Sequence, residues 1–97
     1  MNRDQTIALL SQHGAAIRQQ YQVQRLALFG SFARGEATES SDVDLLVEFD
    51  GPATFDRFMD LKFHLEDLLG APVDLVTVKA LRPKLRPGIE QEAIRVA

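Results

Sequence analysis

Two rhythms of apolar residues run along the chain. In the stretch Val43 to Phe49 the period is two: Val43, Leu45, Val47 and Phe49 share one face, while Asp42, Asp44, Leu46 and Glu48 share the other. That alternation predicts a strand. The runs Gln24 to Phe29 and "PVDLVTV" (Pro72 to Val78) are short and apolar, as buried strands are. From Thr54 to Leu69 the period lengthens to that of a helix. Phe55, Phe58, Leu61, Leu65, Leu68 and Leu69 form its apolar stripe, Thr54 can cap it, Gly70 fits its C-terminal end and Pro72 forbids continuation. A first helix is expected over Arg3 to Gln20, with Ile7, Leu10, Ala15 and Ile17 inward, although Gly14 interrupts it.

The remaining segments are punctuation. Gly30-Ser31 breaks the first strand, and "SFARG" can open a short helix that Gly35 ends. "EATESS" is a polar loop, Asp50-Gly51-Pro52 a turn and "RPKLRP" an irregular basic connector; Ile89 to Val96 is expected to be a short final helix. A full helix between the second and third strands predicts a parallel crossover. The starts of those two strands then lie side by side. Asp42 and Asp44 point the same way, and Asp74 is within reach. If the first two strands are antiparallel, Gly30-Ser31 joins them. The expected fold class is α/β: a small mixed sheet flanked by helices.

Composition narrows the possibilities. Ninety-seven residues, 45% hydrophobic and 26% charged, make one small soluble domain spanning 1–97, without repeats. The chain has no cysteine, which excludes disulfides and thiolate metal sites and points to a reducing cytoplasm. No apolar run is long enough to span a bilayer, and the N-terminus, with Asp4 and Gln5 early, does not read as a signal peptide. No membrane partner is expected. A net charge of -3 disfavours a long nucleic acid but leaves small anionic ligands open.

Asp42 and Asp44 at the head of a buried strand repel each other, and partial burial strengthens the repulsion. Clustered with Asp74, they form the oxygen donor set that hard divalent cations such as magnesium take, together with substrate phosphates. Glycine at position 30 lets backbone N–H groups approach a phosphate, and Ser31 adds a hydroxyl. The site would hold a metal-bound triphosphate. Plainer readings exist: Asp42 and Asp44 as loop-end residues beside a Ser40-Ser41 turn, Ser31 as a helix cap and Arg34 as a solvated cation. His13 and His64 read as surface residues, and Glu36 and Glu39 as solvated charges. Lys79, Arg82, Lys84 and Arg86 read as a basic loop. Phe55, Phe58 and Phe63 read as core or partner-facing.

Gly-Ser, ten intervening residues (Phe32 to Ser41), Asp-Val-Asp and then a later strand aspartate resemble the DNA polymerase beta-like nucleotidyltransferase superfamily. "GSFARGEATESSDVDLLVEF" is similar more narrowly to the minimal nucleotidyltransferases, antitoxins paired with HEPN-domain ribonuclease toxins. The resemblance covers nearly the whole chain. It implies that Asp42 and Asp44 bind two magnesium ions, and that Asp74 completes the site for the ion activating the attacking hydroxyl. It further implies that Gly30 and Ser31 hold the triphosphate, assisted by Arg34. Minimal members lack the extra domain with which larger relatives grip their acceptors, so a protein acceptor fits better than a small molecule.

The expected function is that of an antitoxin protein adenylyltransferase. It would transfer AMP from ATP to a hydroxyl, a tyrosine, of a cognate HEPN toxin with which it forms a hetero-oligomer. The ATP and tyrosine are implied by the resemblance alone. Two alternatives remain: an antitoxin acting by non-catalytic binding, and a nucleotidyltransferase acting on a small molecule or an RNA end.

Overall fold

The computed structural model describes residues 1–97. Two helices, α1 (Arg3–Gln12) and α2 (Gly14–Tyr21), lead into strand β1 (Val23–Phe29), which runs directly into a short helix α3 (Gly30–Arg34). Strand β2 (Val43–Phe49), helix α4 (Phe55–Leu69) and strand β3 (Val73–Thr77) follow. A 3-10 turn (Val78–Ala80), helix α5 (Arg86–Glu92) and strand β4 (Ile94–Arg95) complete the chain.

The sheet is four-stranded, in the order β3-β2-β1-β4. β2 and β3 are parallel, as the intervening helix predicts, and β1 is antiparallel to both β2 and β4. Strand alternation sorts the side chains between two faces. Val43, Leu45 and Val47 of β2 are fully buried with Leu26 and Leu28 of β1, Leu10, Ile17, and Leu61 and Leu65 of α4. Leu46 and Ala27 point to the opposite face, where Val78 and the partly buried Phe29, Leu81, Ile89 and Ala93 cover them. Asp44 belongs to this second, thinner layer by strand parity.

Helix α4 forms as its pattern predicts. The Thr54 hydroxyl accepts the Arg57 N–H at 3.2 Å, and Gly70 ends the helix in the left-handed region at φ 63°. Leu61, Leu65 and Leu69 are buried, but Phe55 is 75% exposed because it opens the helix before that helix reaches the sheet. Glu66 of α4 reaches forward and accepts the Val73 N–H at 3.0 Å, fixing the point where β3 begins.

The chain departs from expectation at both ends. The first helix is not continuous to Gln20: it breaks at His13, and Ala15 is exposed while Thr6 is buried. The buried Thr6 hydroxyl donates to the Asn2 carbonyl at 2.7 Å, so its polarity is satisfied within the first turn. The segment Ile89–Val96 is not a helix throughout. α5 ends at Glu92, and the residues beyond it pair with β1, Ile94 opposite Leu28 and Arg95 opposite Ala27.

Gly14 connects the two departures. A Cβ at that position would lie 2.8 Å from the Val96 carbonyl oxygen and 3.2 Å from the Ala97 Cβ. The helical break and the terminal strand therefore meet at a contact that admits no side chain. In an open helix, Gly→Ala stabilises by about 1 kcal/mol. Here Gly14→Ala is expected to destabilise by about 1–2 kcal/mol, because buried backbone must give way. Urea denaturation of the two proteins checks this, and a stabilised Gly14→Ala protein would contradict the contact.

Candidate active site

The site is assembled by register. In the antiparallel pair, Phe29 lies opposite Asp44, which places the β1–α3 turn beside the start of β2. In the parallel pair, Asp44 lies opposite Asp74. Asp42 stands just ahead of β2, two residues from Asp44. The three aspartates and the Gly30-Ser31 turn thus share one end of the sheet, as the sequence predicts. Asp42 and Asp74 are exposed, and Asp44 is half-buried.

Gly30 is fitted to Asp44. Its φ is 73°, a region that L side chains rarely adopt, and its backbone is buried. A Cβ there would run into the Asp44 carboxylate, 2.8 Å from its Cγ and 3.0 Å from its Cβ. The glycine therefore does two things: it turns the chain from strand into helix, and it leaves room for the carboxylate.

Electrostatics sets Asp44 apart. Burial, then the neighbouring charges of Asp74 and Asp42, push its pKa from the ordinary 3.8 up to about 6, while Arg34 pulls it the other way. Without a cation, this carboxylate sits where its charge is disfavoured. The donor set is all carboxylate oxygen, which suits a hard divalent ion, and such an ion would offset the repulsion. No three acidic or imidazole side chains are closed around one point at ligating distance. Asp42 and Asp74, being exposed, can turn toward an ion held on Asp44, so the residues present fit magnesium.

Arg34 is not a free cation. It is paired through Nη1 with Glu92 at 2.8 Å and through Nε with Glu36 at 3.2 Å. The second oxygen of Glu92 accepts the Gly30 N–H at 3.1 Å. Glu92 is the residue that reading the sequence missed. It was absorbed into an expected terminal helix, and no local motif marks a contact spanning 62 residues. The His64 ring is half-buried rather than exposed and is hydrogen-bonded to the Tyr21 hydroxyl at 2.9 Å. Phe55 and Phe63 are exposed on α4, whereas Phe58 packs partly against the core. Lys79, Arg82, Lys84 and Arg86 are exposed, as a basic connector would be.

Comparison with known proteins gives the family. Residues 10–96 match the nucleotidyltransferase domain. The chain belongs to that family. Among its relatives is the protein adenylyltransferase MntA of Thermococcus cleftensis, 37% identical over 89 residues that cover 92% of this chain and 90% of MntA. A Methanocaldococcus jannaschii protein assigned by name as a protein adenylyltransferase is 42% identical over 91 residues, 91% of each chain. The solved structure of a minimal nucleotidyltransferase superposes with a TM-score of 0.83 at 39% identity, covering 97% of this chain and 95% of that one. A complex of a tri-AMPylated HEPN toxin of Shewanella oneidensis with its MNT antitoxin shares the fold, with a TM-score of 0.68 at 18% identity over 94% of this chain and 71% of that one. The chain is an enzyme of nucleotidyltransferase type. Its fold is the mixed α/β sheet of the minimal nucleotidyltransferases. No helix is long and apolar enough to cross a membrane.

The raised pKa of Asp44 has a signed consequence for the metal-free nucleotidyltransferase. The folded state holds this proton more tightly than the unfolded chain does. The group's contribution to stability is therefore complete below pH 3.8 and lost as pH rises through about 6. The neutral Asp44→Asn variant lacks that loss. Its melting temperature, relative to wild type in chelator, should gain between pH 4.5 and 7.5. A difference that stays flat, or moves in favour of wild type, would contradict the electrostatic reading.

Proposed function

We propose that this nucleotidyltransferase is an antitoxin protein adenylyltransferase, residues 1–97 forming one minimal domain. It transfers AMP from ATP to a hydroxyl, a tyrosine, on a HEPN-domain ribonuclease toxin with which it associates in the cytoplasm. The observation that carries this reading is the shared register of Asp44, Asp74 and the Gly30 turn at one sheet end. The names of its relatives, protein adenylyltransferases, support the acceptor class. A structural neighbour described as a toxin–antitoxin with AMP-PNP supports a nucleotide substrate.

In this mechanism Asp42 and Asp44 would hold two magnesium ions, and Asp74 would complete the site on the acceptor side. When bound, the ions supply charge neutralisation of the phosphates and a lowered pKa for the attacking hydroxyl. Everything else falls to the chain. Ser31, whose hydroxyl makes no hydrogen bond within the protein, donates to the phosphates, and the Gly30 turn lets them approach the backbone. Arg34 supplies a cation beside the carboxylates. The acceptor hydroxyl gives up its proton to solvent as its oxygen attacks the α-phosphorus in line, the bond from that phosphorus to the bridging oxygen breaks, and pyrophosphate departs with the electron pair. Orientation of the two reactants and fixed charge provide the acceleration.

The decisive experiment mixes the protein with its HEPN toxin, magnesium and each nucleoside triphosphate in turn, then weighs the toxin by intact mass spectrometry. ATP should add one or more AMP masses. Asp42→Asn and Asp74→Asn should add none while remaining folded by circular dichroism, with transfer reduced at least a hundredfold, about 3 kcal/mol of lost transition-state stabilisation. Toxin activity is then assayed after the antitoxin is removed. A folded Asp42→Asn protein that neutralises as durably as wild type would replace catalysis with steric blockade. Labelling of a small molecule or an RNA end, with the toxin unmodified, would replace the acceptor.

A further inference from the structure

The carboxylate of Glu92 occupies an unusual position. One oxygen accepts the Gly30 N–H at 3.1 Å, and the other pairs with Arg34 Nη1 at 2.8 Å. Both partners belong to the turn that, in the reading above, receives the triphosphate. Register explains how Glu92 arrives there. β4 pairs antiparallel with β1 through Leu28–Ile94 and Ala27–Arg95. The same register carried two residues further sets Glu92 opposite Gly30. The short terminal strand thus aims one carboxylate at the turn.

The two acids on Arg34 differ in kind. The Glu36 side chain is 65% exposed and touches only the Nε edge of the guanidinium. The Glu92 side chain is 26% exposed and bridges two groups. Arg34 holds the Glu92 carboxyl below the usual carboxylate range, so Glu92 stays ionised across neutral pH. A phosphate, more highly charged and with several acceptor oxygens, can replace the exposed Glu36 at the outer edge of Arg34. Replacing Glu92 would strip the Gly30 N–H and the inner edge of the guanidinium together.

The Gly30 N–H also has only one proton to donate. Because Glu92 takes it, the contribution of Gly30 to the triphosphate is the shape of the turn, and the donors left for phosphate are those of Ser31 and the free side of Arg34. Removing the bridge would release a buried N–H and a long side chain, both of which nucleotide binding would then have to order.

We propose that Glu92 is the positioning residue of the nucleotide cradle: by bridging the Gly30 N–H and the Arg34 guanidinium, it sets the turn and the cation against which the triphosphate of ATP lies. This rests on the nucleotidyltransferase reading of the site, and the test separates the two. Binding of Mg-ATP is measured by calorimetry for the full chain, for Glu92→Gln, for Arg34→Ala and for the double variant, with Asp44→Asn as a reference. Glutamine can still accept from Gly30 but no longer pairs with Arg34 as an ion. Glu92→Gln should weaken Mg-ATP about tenfold. Because Glu92 acts through Arg34, the double variant should bind no more weakly than Arg34→Ala alone. A purely structural role would give additive losses. If Glu92→Gln proves too unstable to titrate, Glu92→Asp, which keeps the charge one carbon shorter, is measured in its place with the same non-additivity expected. Unchanged or tighter binding by the Glu92 variant, or additive losses, overturns the proposal while leaving the site intact. Failure of wild type to bind Mg-ATP, or equal binding by Asp44→Asn, overturns the site and the proposal together.

Discussion

A carboxylate packed against a glycine that has no side chain to offer is the constraint on which this nucleotidyltransferase depends. Asp44 fills the space where a Gly30 Cβ would stand. That contact requires Phe29 to lie opposite Asp44, so it fixes the register of β1 on β2. The parallel pairing then brings Asp74 alongside. A slip of one residue in either pair would replace Asp44 with an apolar neighbour and expose Val43 or Leu45. The aspartate cluster and the core packing are therefore one arrangement, because consecutive residues of β2 serve them alternately.

The cost of the arrangement is concentrated in one place. Leu10, Leu26, Leu28, Val43, Leu45, Val47, Leu61 and Leu65 make a buried apolar layer on the helical face of the sheet. The other face is thinner and bears the charges. There Arg25 joins Glu48 of β2 to Glu90 of α5, and Arg34 joins Glu36 to Glu92. Helix α5 contributes no fully buried residue, so its seat on the sheet depends on partial packing of Ile89 and Ala93 and on these ion pairs. Partly exposed ion pairs are individually weak. Their value here is directional, since Glu90 and Glu92 hold α5 over the same face that bears Asp44.

What the sequence disclosed follows from how far each signal reaches. Helix α4 was legible because its cap, its stripe and its terminal glycine are all local, and β2 was legible because alternation needs only seven residues. The parallel placement of β3 followed from the helix between the strands, and the cluster of Asp42, Asp44 and Asp74 followed from that. The break at His13 and the strand at Ile94–Arg95 were hidden, because the two ends of the chain meet only in the folded protein. Gly14 looks like a weak helical position until the Val96 carbonyl is placed against it. Glu92 was hidden for the same reason. Its partners lie about sixty residues upstream, and nothing around Gln91 or Ala93 records them. Phe55 misled in the opposite sense: it continues a genuine stripe past the point where the helix meets the sheet.

The division of labour along β2 also bears on how such a chain can change over time. Between Gly35 and Ser41 the backbone runs through an exposed loop that ends before β2 begins. Residues can be gained or lost there without disturbing the strand parity, because β1 and β2 are held by pairing rather than by the length of the link. Within Val43–Phe49 a single inserted or deleted residue inverts every position that follows it, turning apolar side chains toward the charged face and charges into the core. The loop is thus a segment of free length, whereas the strand behaves as a reading frame. The single residue between the two aspartates is thus fixed by strand parity, a constraint that does not act on the loop.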